Sequence, residues 1–467
     1  MNRQNGAKLI VVSNFPFQDR KNRGKTQHKL WITFTKKMYD MINESDAMLL
    51  ISPQSWGSPS NKVLNIFKDG NVKYVNFDSG KYFPHVGSSF SDYLIVKDSG
   101  DKKPTKLYIN EQDSYFTFSD NLLYIPNDIC AMSMSIHDKV IFSQEKKLCV
   151  EHDYVTCHNI LLKEDNPTLS KEKTCDHVHP VFHTNRQTWF SSKEQDFRNS
   201  KKVMWTRSGY TIPFYDAGKL GCTDLGYFVR VDSKEQGLRL EANLNNPLFK
   251  YILTTAKWSG FGNEKVFNAL PDVADIHAKV DEDIYDYFNL TDEEVDYITN
   301  FKPAKKSKNA PVELEIRTQE RSDNHGEVFT PAACVSEMLD RKEFPQEFWS
   351  DISTMYLDPA CGNGNFLVEV LRRKIANGAT PTQALSTTYG IDIMMDNVAE
   401  CRQRLFKIAY EANGNKFDRA WKDILTTNIA VGDALRFDTD DIFGVTPTSE
   451  ELKEFREMKK IEYLNSL

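Results

Sequence analysis

One short segment, YLDPACGNGNFLVEVLRRK (356–374), constrains the fold more than any other part of the chain. The pattern predicts a strand that ends at Asp358, a loop with Gly362 and Gly364, and an amphipathic helix from Asn365. Glycines in such a loop let backbone N–H groups and a helix N-terminus approach a ligand closely. The dinucleotide-binding pattern GxGxxG is not met, because Phe366 and Leu367 occupy the region of its third glycine. The segment therefore predicts an α/β sheet, and its glycine-rich turn is typical either of a nucleotide site or of a simple tight turn.

The elements around this segment alternate in the same α/β manner. Predicted strands and helices near the C-terminus lie at 331–341, 353–359, 365–377, 388–393, 395–412 and 428–433. At the N-terminus, strands at 8–13 and 47–53 flank a helix at 28–43. Between about 100 and 255, short apolar runs such as KLYI, LLYI and KVIF predict many short strands and long loops.

Composition excludes several classes of protein. The 467 residues are 40% hydrophobic and 27% charged, as in globular proteins, and no window approaches 18 apolar residues. The N-terminus carries no signal-peptide pattern, and eight scattered cysteines are typical of reduced thiols, so we expect a soluble cytoplasmic protein. The net charge is −7, but residues 1–37 hold nine Lys/Arg against one acid, a distribution that can attract phosphate.

Four motifs resemble the cofactor motifs of the S-adenosylmethionine-dependent DNA amino-methyltransferases. DPACGNGNF (358–366) resembles their motif I, and GEVFTPAACVSEML (326–339) resembles the motif usually numbered ten. GIDI (390–393) and GDAL (432–435) end the next two predicted strands. The resemblance implies S-adenosylmethionine as cofactor, with the ribose hydroxyls on Asp392 and the adenine amino group on Asp433. The cofactor-binding residues that it implies are Phe329, Thr330, Pro331, Asp358, Ala360, Gly362, Gly364, Phe366, Asp392 and Asp433.

No catalytic motif of this family follows Asp433, but one lies near the N-terminus. KLIVVSNFPFQD (8–19) resembles the strand and loop written (Asn/Asp)-Pro-Pro-(Tyr/Phe), which implies Asn14, Phe15, Pro16 and Phe17 as catalytic residues. Phe15 stands where the family nearly always has proline, so the fixed φ of proline is lost and loop rigidity is in doubt. The order of catalytic half, variable region and cofactor half implies the permuted beta arrangement of these enzymes.

The chemistry explains the residue types. The lone pair of an adenine N6 nitrogen is delocalised into the ring, so this nitrogen is a poor nucleophile. The Asn14 side chain and the Phe15 carbonyl would accept its two hydrogens, favouring a pyramidal nitrogen that attacks the sulfonium methyl in line. Phe17 would stack on the base once it is flipped out of the duplex. This chemistry calls for no metal.

The fold predicted is a Rossmann-like methyltransferase sheet built from N- and C-terminal segments, with an inserted, strand-rich target recognition domain. Its predicted segments are the catalytic half (1–100), the recognition domain (101–255), a helical linker (256–320), the cofactor half (321–440) and a helical tail (441–467).

Double-stranded DNA is the predicted partner. In 201–223, basic residues alternate with aromatic ones, which suits phosphate and base contacts. Core packing of these aromatic residues is the alternative, and the resemblance favours DNA. The predicted DNA-binding residues are Arg20, Lys21, Arg23, Lys25, Lys201, Lys202, Arg207, Trp205 and Tyr210. Three cysteines and five histidines in 149–183 meet zinc spacing only loosely, and unligated residues are the default there.

The sequence therefore predicts a site-specific DNA adenine-N6 methyltransferase, from a restriction-modification system with a separate endonuclease or acting alone. Cytosine-N4 methylation is the alternative among enzymes, although that group usually carries Ser-Pro-Pro and Asn14 favours adenine. A catalytically inactive DNA-binding relative is the alternative from another class.

Overall fold

The chain forms two compact units, which we describe separately. The computed structural model describes residues 6–17, 30–59, 61–83, 89–109, 112–158, 168–184, 187–207, 212–257, 264–274, 281–303 and 328–436. The first unit combines Met1–Trp56, Lys62–Asp120 and Ser307–Leu467, and the second combines Gly57–Asn61 and Asn121–Lys306. Within the described ranges, no helix has the length and apolar character that a membrane crossing requires.

Strands occur in both units. They are β1 (Leu9–Asn14), β2 (Ala47–Pro53), β3 (Asn71–Asn76), β4 (Phe90–Val96), β5 (Thr105–Ile109), β6 (Gln112–Phe116), β7 (Glu151–His152), β8 (Leu169–Ser170), β9 (His179–Thr184), β10 (Gln187–Ser191), β11 (Lys202–Thr206), β12 (Phe214–Asp216), β13 (Gly221–Cys222), β14 (Gly226–Arg230), β15 (Met355–Asp358), β16 (Thr388–Asp392) and β17 (Ile429–Val431).

The α-helices also occur in both units. They are α1 (Leu30–Met41), α2 (Lys62–Asp69), α3 (Ala131–His137), α4 (Lys234–Asn245), α5 (Pro247–Thr255), α6 (Glu264–Phe267), α7 (Asp281–Tyr287), α8 (Asp292–Asn300), α9 (Ala332–Leu339), α10 (Glu347–Ser350), α11 (Asn365–Ala376), α12 (Pro381–Ser386), α13 (Met395–Ala412) and α14 (Ala420–Asn428).

A nine-stranded mixed sheet forms the centre of the first unit, in the order β17-β16-β15-β1-β2-β4-β3-β5-β6. The strands from β17 to β2 are parallel, and β4 runs antiparallel to both of its neighbours. The segments Leu9–Asn14 and Ala47–Pro53 are apolar and buried along almost their whole length. Such continuous apolar runs are typical of parallel strands with both faces covered. The first unit is therefore a mixed α/β structure.

The N- and C-terminal parts of the chain meet where β1 lies beside β15. These two strands are parallel, with Leu9 opposite Met355 and Val11 opposite Leu357. The chain runs from β15 through β16 to β17 in one direction along the sheet, and from β1 to β2 in the other. Ligands of open α/β sheets bind outside the carboxyl ends of the strands at such a reversal. The carboxyl ends of β1 and β15 are therefore where a ligand site is expected.

Most predicted elements of the first unit are confirmed, and the differences have physical causes. The helices Asn365–Ala376 and Met395–Ala412 match their predictions within a residue. The strands β5 and β6, which we assigned to the recognition domain, instead extend the large sheet, because β5 pairs with β3. The run KVIF, predicted as a strand, lies in a helical turn over Asp138–Phe142. A short apolar run fits a buried helix as well as a strand.

The second unit contains two four-stranded sheets, ordered β13-β9-β10-β8 and β12-β11-β14-β7. A small core packs Phe182, Met204, Cys222 and Phe228 together. The predicted strand-rich region is therefore present, but helices α3 to α8 accompany it in the same unit. The predicted tail (441–467) lies outside the described residues.

Candidate active site

A pocket lies at the carboxyl ends of β1, β15 and β16. Its cavity has a volume of about 100 Å³. Its lining includes residues from the predicted catalytic loop and from three predicted cofactor segments. They are Asn14, Pro16, Val328, Phe329, Thr330, Asp358, Ala360, Cys361, Gly362, Asn363, Asn365, Phe366, Asp392, Ile393, Met394 and Asn397. Residues that the sequence separates by more than 300 positions thus share one pocket.

The two glycines of the loop are required by its geometry. Gly362 has φ of 52° and Gly364 has φ of 88°, both in the left-handed region that favours glycine. A Cβ atom on Gly362 would lie 3.0 Å from the Phe329 ring, and one on Gly364 would lie 2.5 Å from Cys401 Sγ. The loop therefore packs too closely for any side chain at these two positions.

Asp392 holds this loop against the end of β16. Its Oδ2 accepts a hydrogen bond from the Gly362 N–H at 2.9 Å, and its Oδ1 accepts one from the Met394 N–H at 2.8 Å. A carboxylate oxygen can accept more than one hydrogen bond, and Oδ1 also accepts one from Asn397 Nδ2 at 3.4 Å. Asp392 both shapes the pocket and lies in its wall.

Asp358 joins β15 to β1 rather than standing open to a ligand. The carboxyl group is 1% exposed, and its Oδ1 accepts hydrogen bonds from Ser13 Oγ at 2.7 Å and the Ala360 N–H at 3.1 Å. Burial raises the pKa of Asp358 to about 7, and the nearby charge of Asp392 also raises it. The Ser13 hydroxyl was not predicted from the sequence, because its partner lies 345 residues away.

Asn14 lines this pocket, and its side-chain oxygen is unpaired among the described residues. Its Nδ2 donates a hydrogen bond to Thr330 Oγ1 at 3.0 Å. Its Oδ1 is buried and has no hydrogen-bond partner in the described part of the chain. A buried acceptor without a partner costs about 1–3 kcal/mol, so such a group requires an explanation. An acceptor of this kind suits a ligand that brings an N–H donor.

The three residues after Asn14 point in different directions. Phe15 is buried and stacks on Phe34 of α1, with ring centroids 4.9 Å apart. Pro16 lines the pocket, and Phe17 is half-buried and stacks on Phe90 at 5.0 Å. The Phe15 ring thus packs into the core at the position where the family carries proline.

Three of the predicted cofactor residues are outside the described pocket lining, namely Gly364, whose role in cofactor binding stays a prediction, Pro331 and Asp433. Pro331 is the N-cap of α9. Asp433 lies two residues beyond β17, and its carboxylate accepts from the Leu435 N–H at 3.0 Å and pairs with Arg436 at 3.2 Å. Roles for these two residues in cofactor binding stay predictions.

Two of the predicted DNA contacts are wrong. Lys202 is fully buried, and its ammonium pairs with Asp216 at 2.8 Å. Trp205 is 2% exposed and packs against Phe267. Every residue of β11 is buried, on both faces of the strand. Neither side chain can therefore reach a duplex. Lys201 is exposed and Arg207 is half-buried. The other predicted contacts lie outside the described residues, namely Arg20, Lys21, Arg23, Lys25 and Tyr210.

Three asparagines in the pocket were missed by the sequence analysis. Asn363 lies between the two glycines, is 2% exposed, and donates to Glu400 at 3.3 Å. Asn365, the first residue of α11, donates to the Thr330 carbonyl at 2.8 Å. Asn397 donates to Asp392 at 3.4 Å. The positions of the first two beside the glycines were the available signal.

The cysteine- and histidine-rich segment of the second unit shows pairwise contacts. Cys157 is buried beside Ser191, and His183 stacks on Trp189 with ring centroids 3.6 Å apart. Over the part of the chain that the structure describes, no three His, Cys, Asp or Glu side chains are grouped as metal ligands.

Comparisons with known proteins give distant likenesses. No protein-family model and no curated protein matches the chain. Solved structures that match include MmeI, a Type IIL restriction-modification enzyme in complex with DNA, with a TM-score of 0.32, 8% identity, and coverage of 89% of this chain and 56% of that chain. The type IIG restriction endonuclease BpuSI matches with a TM-score of 0.23, 11% identity, and coverage of 58% and 45%. This chain spans about half the length of either protein.

Proposed function

We propose that this protein transfers a methyl group from S-adenosylmethionine to the N6 amino group of adenine in DNA. The observation that carries the proposal is the Asn14 Oδ1 atom, a buried acceptor without a partner among the described residues, in a pocket at the sheet reversal. A target amino group supplies the N–H donor that this oxygen lacks. Its second hydrogen goes to the main-chain carbonyl of Phe15.

The lone pair of the amino nitrogen is delocalised into the ring, so the nitrogen is planar and a poor nucleophile. Two hydrogen-bond acceptors are needed to change this geometry. Two acceptors placed out of the ring plane favour a pyramidal nitrogen, whose lone pair points at the methyl donor. Phe17 lies three residues after Asn14, and its ring is supported from behind by Phe90. We infer that the flipped base stacks on the other face of Phe17.

Several residues that line the pocket suit the proposed cofactor. When bound, S-adenosylmethionine supplies an electrophilic methyl group on a positively charged sulfur. Gly362 and Phe329 both line the pocket, and the Phe329 ring lies close to Gly362. We propose that Asp392 accepts hydrogen bonds from the ribose hydroxyls and that Asp433, one strand further, accepts from the adenine amino group.

The permuted arrangement belongs to the same proposal. It is supported by the pairing of β1, which ends at Asn14, with β15, which leads into the glycine loop. We propose that the second unit recognises the target sequence, with Lys201 and Arg207 as phosphate or base contacts.

The test is methyl transfer from isotope-labelled cofactor to unmethylated genomic DNA, which contains many target sequences. The DNA is then digested to nucleosides and analysed by mass spectrometry. We expect labelled N6-methyladenine with the wild-type protein and about 100-fold less with Asn14→Ala. If labelled N4-methylcytosine is found instead, the target base is cytosine and not adenine. Cofactor binding without any transfer would indicate the inactive DNA-binding relative instead.

A further inference from the structure

Thr330 lies between the two halves of the pocket and contacts both. Its hydroxyl accepts the hydrogen bond from Asn14 Nδ2 at 3.0 Å. Its carbonyl oxygen accepts a hydrogen bond from Asn365 Nδ2, at the start of α11, at 2.8 Å. Thr330 itself is 5% exposed. One buried residue therefore connects the predicted catalytic loop to the loop that carries the two glycines.

The contact with Asn14 determines where the Asn14 oxygen lies. An amide group has its donor and its acceptor at opposite ends, and rotation about its terminal bond is soft. With the nitrogen end held by the Thr330 hydroxyl, the position of the oxygen end is fixed as well. Without that hydroxyl, the amide has no polar anchor at either end among the described residues. A displaced acceptor is costly, because catalysis by positioning is sensitive to small errors in geometry.

The resemblance implies Thr330 as a cofactor-binding residue, but its hydroxyl accepts a hydrogen bond from Asn14. We propose that Thr330 is a positioning residue, which holds the Asn14 amide in its productive orientation. Because Thr330 is also tied to Asn365, the orientation of Asn14 depends on the seating of the cofactor segment. This inference rests on the proposed function and adds a specific role to it.

The experiment compares Thr330→Val with Thr330→Ser. Valine has nearly the shape of threonine but lacks the hydroxyl, whereas serine keeps the hydroxyl. We expect Thr330→Val to lower kcat about tenfold, as loss of one neutral hydrogen bond does, and Thr330→Ser to keep most of the rate. The Kd of the cofactor, measured by calorimetric titration, should stay unchanged in both variants. Thr388→Val is the matched control, since Thr388 is equally buried and bonds the Ala384 carbonyl away from the pocket.

A double-mutant cycle tests whether Thr330 acts through Asn14. In the Asn14→Ala background, Thr330→Val should change kcat no further, because the group that it positions is gone. Additive losses would overturn the inference, and so would a weakened cofactor Kd with normal kcat. If Thr330→Val does not fold, Thr330→Ala removes the same hydroxyl, and the same comparison with serine applies. A wild-type protein without any transfer would overturn the proposed function itself, which separates the two failures.

Discussion

Two buried polar clusters of this protein differ in how completely their hydrogen bonds are made. In the second unit, Lys202 donates to Asp216 and to the carbonyl oxygens of residues 198 and 200, at 2.8–3.1 Å. An ammonium has three donors, so this lysine is satisfied. In the first unit, the Asn14 amide uses one end and leaves the other without a partner among the described residues.

The difference separates groups that build the fold from groups that await a ligand. A buried charged group with all its hydrogen bonds made stabilises the folded state, and a mutation that removes it lowers the free energy of unfolding. An unsatisfied buried acceptor lowers stability, so one on a side chain that lines a pocket is a candidate for a ligand contact. Both residues were predicted from the sequence to touch substrate, and only Asn14 has a free atom with which to do so.

The largest effect expected is on stability, for Lys202→Met. The change leaves the Asp216 carboxylate buried without its cation, which costs about 3–5 kcal/mol in the free energy of unfolding. Urea denaturation measures it, with Lys201→Met as the exposed neighbouring control, for which little change is expected. If Lys202→Met kept full stability and lost DNA binding, Lys202 would be a DNA contact and not a structural residue.

Asn14→Ala should show the opposite signature. Turnover should fall about 100-fold, because a preorganised acceptor for the target amino group is removed. The thermal unfolding midpoint should hardly move, since the amide gives up a single hydrogen bond, to Thr330. A variant with a much lower midpoint and normal turnover would place Asn14 with Lys202 among the structural groups.

Asp392→Ala tests the carboxylate that has both kinds of contact. We expect weaker cofactor binding by about 1–3 kcal/mol, the scale for loss of hydrogen bonds to a charged group. Calorimetric titration measures the affinity, and the melting temperature reports the lost bonds to Gly362 and Met394. Asp433→Ala is the matched comparison, and a smaller loss is expected because Asp433 is outside the described pocket lining. Unchanged affinity in Asp392→Ala would remove Asp392 from the cofactor site.

The smallest effect expected is a pH dependence due to Asp358. Its pKa in the folded protein is raised to about 7, above the ordinary value of about 3.9 in the unfolded chain. The folded state therefore binds the extra proton, and this stabilisation is full below pH 3.9 and is lost as the pH rises through 7. Between pH 6 and 8 the loss should be about 1.4 kcal/mol.

Asp358→Asn removes this titration, so the comparison is between the two pH profiles of unfolding. The comparison is needed because Lys374 also affects stability in this range. Burial lowers the pKa of Lys374 to about 7, so its contribution to the stability of the folded state rises as the pH increases above 7. Parallel profiles for the wild type and the variant would show that Asp358 does not titrate in this range.

Local patterns predicted much of the first unit because its strands and helices are long and strongly patterned. The run Leu9–Val12 is apolar at each position, and α13 was predicted within its bounds. The second unit was harder to predict. Its elements are short, and their burial depends on contacts with distant segments. The helical run KVIF was therefore predicted as a strand. Lys202 and Trp205, which are buried, were predicted as DNA contacts on the surface. Nothing near Lys202 in the sequence signals that Asp216 will fold against it.

The sequence by itself determined the residue types at the site: the glycine loop, the acids that follow two strands, and Asn14 in an Asn-x-Pro-Phe loop. These follow from local backbone demands and from chemistry that a short motif can carry. The motif order also led us to expect Asn14 and Asp358 at the ends of adjacent strands, and β1 does pair with β15. Only the tertiary structure decided that the Phe15 ring packs on Phe34. It also decided which end of the Asn14 amide is left without a partner in the described chain. Each of these depends on contacts between residues far apart in the chain, and such contacts form only when the sheet closes and its side chains are buried together.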